Sequence, residues 1–126
     1  MDELARLLTV ERHLLELLLF KMVEHRHLLA ARETRFLTFA AAEVDRAHER
    51  VQVAELRRSL FIHDLGRELD LTPEAVTLGT LARYSREPFS MIFSDHSRAF
   101  VELVAAIEDE GLAMPSLVDF CVGRPA

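Results

Sequence analysis

The sequence predicts an all-α protein: an antiparallel helical hairpin or coiled coil, extended to a three-helix bundle, with a short connecting helix and an apolar C-terminal tail that is either flexible or docked. Three observations predict this class. Apolar residues recur at alternating steps of three and four along most of the chain, half of its 126 residues are hydrophobic, and only four Gly and four Pro interrupt it. We therefore expect a single helical domain over residues 1–126.

The first helix is predicted to begin near Asp2 and to run to about Ala31. One seam of mainly apolar residues follows its length: Leu4, Leu8, Glu11, Leu15, Leu18, Met22, His25 and Leu29. The neighbouring ladder is also mostly apolar: Leu7, Val10, Leu14, Leu17, Lys21, Glu24, Leu28 and Ala31. Because the combined apolar arc is wider than a two-stranded coiled coil needs, more than one helix should pack against this one.

A second helix is predicted over residues 35–69, after a break at residues 32–35 where Thr34 could serve as its N-cap. One continuous long helix is the alternative. The seam of the second helix comprises Leu37, Ala40, Val44, Ala47, Val51, Ala54, Arg58, Phe61 and Leu65. Its Ala residues recur every seven positions, so an antiparallel partner helix can approach closely. Gly66 is a candidate C-terminal signal.

In the second half of the chain, Pro marks the predicted start of two further helical segments. Thr72 and Pro73 predict a short helix or turn over residues 73–84, and Pro88 opens a longer helix that runs to about Glu110 and is closed by Gly111. One face of the longer helix carries Phe89, Phe93, His96, Phe100, Leu103 and Ile107. The tail, residues 111–126, is too apolar for a plain disordered end, so it either folds onto the bundle or binds a partner.

The composition argues against several classes of function and favours one cellular compartment. A net charge of −6 argues against a general nucleic-acid binder, which would need a basic stripe. The longest uncharged apolar run near the start, residues 17–20, is far shorter than the roughly 20 residues of a membrane span, and the acidic first residues do not suit a signal peptide. The single Cys121 cannot form an internal disulfide. We therefore expect a cytoplasmic protein without a membrane span.

A carboxylate precedes a His by three residues on each arm of the predicted hairpin. The pairs are Glu24 with His27 and Asp45 with His48. Helical bundles bind two metal ions through pairs of this kind, but such a site needs further inward carboxylates. The second pair flanks its apolar seam, which favours solvated charges over metal ligands.

No other pattern predicts catalysis. His25 and His96 fall on apolar seams, where a lone His is most often a core residue, and no nucleophile triad, phosphate loop or Cys/His pair accompanies them. We interpret Glu11, Lys21 and Arg58 as residues that mark the ends of the bundle or whose aliphatic stems snorkel to solvent. The alternative is that they form a buried polar link that fixes the register of the helices. The sequence predicts neither an enzyme nor a cofactor. A metal-binding or phosphotransfer bundle that uses His residues, and a generic coiled-coil adaptor, stay open as alternatives.

The first half of the chain resembles a known family. Residues 11–59 contain LLELLLFK at 14–21, LLAA at 28–31 and the turn TRF at 34–36, followed by a second long helix. This order is similar to the start of the FlgN family of flagellar export chaperones. Beyond residue 59 the likeness lies in size, Pro-marked breaks and helical period.

The resemblance implies a small acidic helical protein that binds the hook-associated proteins of the FlgK and FlgL type before type III secretion and prevents their early assembly. It also implies contact with the export apparatus, for which some members use a tail tyrosine; this tail has none, and Phe120 is its nearest aromatic residue. In that family the C-terminal helical region binds the client. Carried over to this sequence, that region points to Phe93, Phe100, Leu103, Ile107, Leu117 and Phe120. The oligomeric state, a homo-oligomer included, is left open.

Overall fold

The computed structural model describes residues 1–123 and is all-α across them, which confirms the predicted class. Its helices are α1 (Asp2–Ala30), α2 (Leu37–Glu68), α3 (Leu78–Tyr84), α4 (Phe89–Asp109) and α5 (Pro115–Val122), with 3₁₀ turns at Thr34–Phe36 and Pro73–Ala75. The last three residues of the predicted tail, 124–126, lie outside the described residues. The 3₁₀ turn between α1 and α2 also excludes one continuous long helix.

Helices α1 and α2 form the predicted antiparallel hairpin. Near the turn, Lys21 Nζ lies 2.5 Å from Glu43 Oε2, and farther along the pair Arg58 Nε lies 3.5 Å from Glu11 Oε1. The facing seam of α2 is buried as predicted from Ala40 to Arg58, except for the partly buried Val44, but it then continues through Ile62 and Gly66. The predicted Phe61 and Leu65 are only partly buried. A straight α-helix drifts against a seven-residue repeat, which explains the one-residue shift.

The long helices end in the same type of C-terminal motif. After α1, the amide of Glu33 donates to Leu28 O and that of Arg32 donates to Leu29 O. The same two backbone hydrogen bonds, one spanning five residues and one spanning three, also close α2 around Asp70 and α4 around Gly111. The residue after each C-cap has positive φ: 57° at Arg32, 57° at Asp70 and 107° at Gly111. These are Schellman motifs, and only the last one carries the glycine that usually marks them.

Some of the predicted end signals differ from the structure. Thr34 is not the N-cap of α2, since Phe36 takes that position. Thr72 is an N-cap with Pro73 after it, as predicted, but its side chain makes no cap bond and it opens only the 3₁₀ turn Pro73–Ala75. The true side-chain cap in the connecting region is Thr77, whose Oγ1 accepts from the amide of Thr80 at 3.2 Å and opens α3. Gly66 lies inside α2, buried, and does not stop it. The predicted start of the long helix at Pro88 and its stop at Gly111 agree with the structure.

Helix α4 runs parallel to α1 and packs against it. Two exposed ion pairs mark this register: Arg12 Nη1 lies 3.1 Å from Asp95 Oδ2, and Arg26 Nε lies 3.0 Å from Glu110 Oε2. Helix α1 thus contacts both α2 and α4, which confirms that its wide apolar arc serves more than one helix. Helix α4 also contacts α3 and α5. The finer arrangement, a three-helix bundle in detail, stays a prediction.

Candidate functional site

The candidate site is the place where the C-terminal helix rests on the rest of the chain. Pro115 occupies the first position of α5, where its missing amide costs no helical hydrogen bond, and Gly123 with φ of 80° ends the helix. The buried residues of α5 are Leu117, Phe120 and Cys121. We call the surface that α5 covers, formed by α3, α4 and Arg58 of α2, the α5 seat. The described part of the tail, residues 111–123, is therefore docked on the other helices.

Arg58 of the α5 seat forms a buried ion pair with Glu11 of α1. Glu11 is 0% exposed and Arg58 is 3% exposed, and the guanidinium carbon of Arg58 lies 4.3 Å from the centre of the Phe120 ring. The contact between the charges, 3.5 Å, is longer than a good hydrogen bond, and among residues 1–123 neither oxygen of Glu11 has a hydrogen-bond partner. The seat thus contains one member of an incompletely satisfied pair of charges, covered by an aromatic ring of α5.

Burial changes the titration of two groups in this region. It raises the pKa of Glu11 to about 7, against the pull of the nearby Arg58 cation, and the carboxylate of Glu55 raises it further. Burial also raises the pKa of the Cys121 thiol to about 11, so this thiol is protonated and unreactive while α5 is docked. The Cys121 thiol reports on the docking of α5, because it returns to water if α5 leaves its seat.

A pocket of about 240 Å³ opens beside α5. Its walls come from α2, the 3₁₀ turn before α3, the cap of α3, and α5 itself, and include Arg58, Ile62, Val76, Thr77, Ser116 and Phe120. A pocket this small and open does not enclose a cofactor-sized ligand. It marks the edge along which α5 meets the rest of the protein.

The structure brings all six predicted partner-binding residues into or against one buried cluster. They are Phe93, Phe100, Leu103, Ile107, Leu117 and Phe120. Leu103 is only partly buried, whereas the other five are buried. A partner can therefore reach most of them only after α5, or α4 with it, has moved.

The histidines belong to no metal-binding group in the part of the chain that is described. His96 is buried, its Nε2 lies 3.4 Å from Thr9 Oγ1, and burial lowers its pKa, which fits a neutral core residue. His25 is half-buried at the far end of α1. No group of three or more His, Cys, Asp or Glu suited to a metal ion occurs within residues 1–123, so the pairs at Glu24 and Asp45 are not joined by further ligands there.

Sequence reasoning did not single out a second surface, on the outer side of the hairpin. A groove of about 780 Å³ runs between α1 and α2, and no residue of α3, α4 or α5 lines it. Its apolar walls are Leu7, Val10, Leu14, Val53, Ala54, Leu60 and Phe61. The signal was present, because the second apolar ladder of α1 supplies one wall and Val53 and Leu60, seven residues apart, stand on one face of α2. We call this surface the outer groove.

The fold and the site define a class: an all-α protein that holds its own C-terminal helix in a seat built by its other helices. Within residues 1–123, no helix combines the length and apolar character that crossing a bilayer requires. Comparison with protein-family models, curated proteins and solved structures gave no match. The functional inference therefore depends on the residues and contacts of this chain.

Proposed function

We propose that this protein is a cytoplasmic export chaperone that binds a helical segment of flagellar hook-associated proteins and keeps it from assembling before type III secretion. The observation that supports the proposal is the docked α5, a short amphipathic helix at the end of the chain that buries Leu117 and Phe120 in the α5 seat. A surface that accepts an amphipathic helix of its own chain can accept one of similar pattern from a client. The resemblance of residues 11–59 to the FlgN family is the reason for proposing hook-associated proteins as the clients.

Exchange of α5 for a client helix requires only a modest difference in free energy. Helix α5 has eight residues, follows a linker around Gly111, and contacts α3 and α4 more than it contacts the α1/α2 hairpin. The ion pair beneath Phe120 lacks full hydrogen bonding, which limits how strongly α5 is held. A client that binds the open state a few kcal/mol better than α5 does shifts the population toward the complex. In this proposal the three long helices act as one scaffold, the bundle inferred from the sequence.

The only cysteine of the chain, Cys121, provides a direct test. Its thiol is buried in α5 and should react slowly with a chromogenic disulfide reagent while α5 is docked. Addition of a purified hook-associated protein of the FlgK or FlgL type should increase the labelling rate at least about tenfold, because the client displaces α5. The measurement is the labelling rate against client concentration, together with co-purification of the two proteins.

Two controls make the result decisive. Cys121→Ala should abolish labelling and leave co-purification intact, and a globular protein without exposed amphipathic helices should not change the rate. A chain that ends at Gly111 should still bind the client, since the α5 seat is then open, provided that its helical circular dichroism is retained. Absence of client binding by both the full and the shortened chain would refute the proposed function.

A further inference from the structure

The outer groove exposes apolar surface that none of the helices α3, α4 and α5 lines. Val10 is 39% exposed, Val53 49% and Leu60 60%, and all three line the same groove. Exposed apolar surface that is continuous over two helices is uncommon in a monomeric protein. It costs solubility unless something binds to it.

Four charged side chains of α2 border the groove. They are Glu49, Arg50, Arg57 and Asp64. None of the four forms an ion pair or side-chain hydrogen bond within residues 1–123, whereas Glu3 and Arg6 of the α1 wall pair with each other. The border of the groove thus carries two unpaired charges of each sign.

The positions of two of these charges are related by a two-fold pattern. Arg50 and Asp64 lie seven residues on either side of Arg57, which is two helical turns or about 10 Å in each direction along the same face of α2. A two-fold axis through Arg57, perpendicular to α2, therefore places Arg50 opposite Asp64 of a second copy, and Asp64 opposite its Arg50. The same operation places Ala54 opposite Leu60 and Val53 opposite Phe61. Small residues meet large ones, and opposite charges meet at both ends.

We propose that the outer groove is the self-association face of a two-fold dimer of this chain, in which two α1/α2 hairpins pack face to face with their α2 helices antiparallel. An isologous contact requires a self-complementary patch, and this charge pattern has that property. A client helix of one net sign would instead leave charges of its own sign unmatched at one end. Arg57 is exposed and meets its own copy on the axis, so one like-charge contact at the centre opposes the two Arg50–Asp64 pairs that flank it.

The proposal does not depend on the export function. The outer groove and the pocket beside α5 share no lining residue, so a failure of one proposal leaves the other intact. A dimer through the outer groove also leaves both α5 seats free. It would hold two identical seats in one particle.

Charge exchange tests the pairing. Sedimentation velocity across a concentration series should show a monomer–dimer equilibrium for the unaltered protein. Arg50→Asp or Asp64→Arg should each raise the dissociation constant about tenfold, because the two-fold duplicates every repulsive contact. The double variant Arg50→Asp with Asp64→Arg should recover most of that loss. A double variant as weak as the single ones would overturn the proposed register.

Apolar and cross-linking variants test the face and the axis. Leu60→Glu should abolish the dimer, whereas Val101→Glu, at a similarly exposed position on α4, should not. In a Cys121→Ala background, Arg57→Cys should form a disulfide-linked dimer on mild oxidation, since a residue on the axis meets its own copy, and Val101→Cys should not. Circular dichroism of each variant checks folding. A protein that stays monomeric at several hundred micromolar, a dimer insensitive to Leu60→Glu, or capture of a hook-associated protein by the groove of a monomer would refute the proposal.

Discussion

Arg58 interrupts the apolar period of α2 because it forms half of a buried ion pair. The sequence favoured a bundle end or a snorkelling stem for it and for Glu11. The structure instead supports the alternative, a buried polar link between the two arms of the hairpin. Lys21 behaves as a half-exposed partner of Glu43. Periodicity locates such polar residues, but it cannot distinguish an edge position from a paired interior one, because both interrupt the same pattern.

Removal of one partner of this pair should cost far more than removal of both. Arg58→Ala leaves the Glu11 carboxylate buried without its cation, and we expect it to lower the free energy of unfolding by about 3–5 kcal/mol. The double variant Glu11→Leu with Arg58→Met replaces both charges by apolar groups and should be close to neutral or stabilising. Urea denaturation of the two variants provides the measurement. Equal losses in both would contradict a desolvated pair.

The raised pKa of Glu11 gives stability a defined dependence on pH. Its folded-state pKa of about 7 lies above the ordinary value of 4.5, so the folded state binds this proton more tightly than the unfolded state does. The Glu11 contribution is therefore present at low pH and is lost as pH rises through 7. Glu11→Gln should flatten the change in stability between pH 5 and pH 8. Melting curves over that range test the sign, and an unchanged slope in the variant would contradict it.

At the scale of the helices, extents were predictable and ends were less so. Pro88 and Gly111 bound α4 as predicted, because the first fixes a helical φ and the second adopts positive φ without a clash. The predicted ends of α1 and α2, Ala31 and Leu69, are the C-caps of these helices in the structure. The Schellman motifs that follow them were not predicted, because Arg32 and Asp70 adopt the left-handed conformation without a glycine to signal it. The docking of α5 could not be predicted, since an apolar tail suits a core and an interface equally.

Gly66 and Gly79 provide a matched pair of helical glycines. A Cβ at Gly66 would lie 2.9 Å from the backbone oxygen of Leu71, where the chain folds back after α2, while the nearest atom to a Cβ at Gly79 is 3.9 Å away. Gly66→Ala should therefore destabilise the protein by about 1–3 kcal/mol. Gly79→Ala in α3 should stabilise it by about 0.4–1 kcal/mol through the entropy of the unfolded chain. Thermal melts of both variants compare the effects. A stabilising Gly66→Ala would show that the backbone at Leu71 can move away to accommodate the added Cβ.

At the scale of the whole molecule, the hairpin was predictable and the placement of α4 was not. Ala residues at seven-residue spacing and a turn between two long apolar seams favour an antiparallel neighbour. The hydrophobic periodicity of α4 does not determine which helix it contacts or in which direction it runs. Those features depend on contacts such as Arg12 with Asp95, and a single sequence does not reveal such a pairing. The buried status of most candidate binding residues follows from that same packing.

Local unfolding should occur more readily in α5 than in the α1/α2 hairpin. Helix α5 contacts only α4 and α3 to any extent, whereas α1 and α2 contact each other over most of their length. Amide hydrogen exchange of residues 115–122 should therefore be faster than that of residues 8–18, and it should approach the global unfolding rate only in α1 and α2. Exchange read by mass spectrometry gives the order. Equal protection of α5 and α1 would argue that α5 is a permanent part of the core.

The parallel packing of α1 and α4 has a consequence during translation. The contacts that join them span 83 and 84 residues, so the face of α1 that α4 covers has no partner until the end of α4 has been made. The ribosome adds the 41 residues from the end of α2 to the end of α4 in roughly 2–8 s, at about 5–20 residues per second. For that interval the nascent chain presents the α4-facing side of α1 to its surroundings. This protein should itself need protection from aggregation before it can bind anything else.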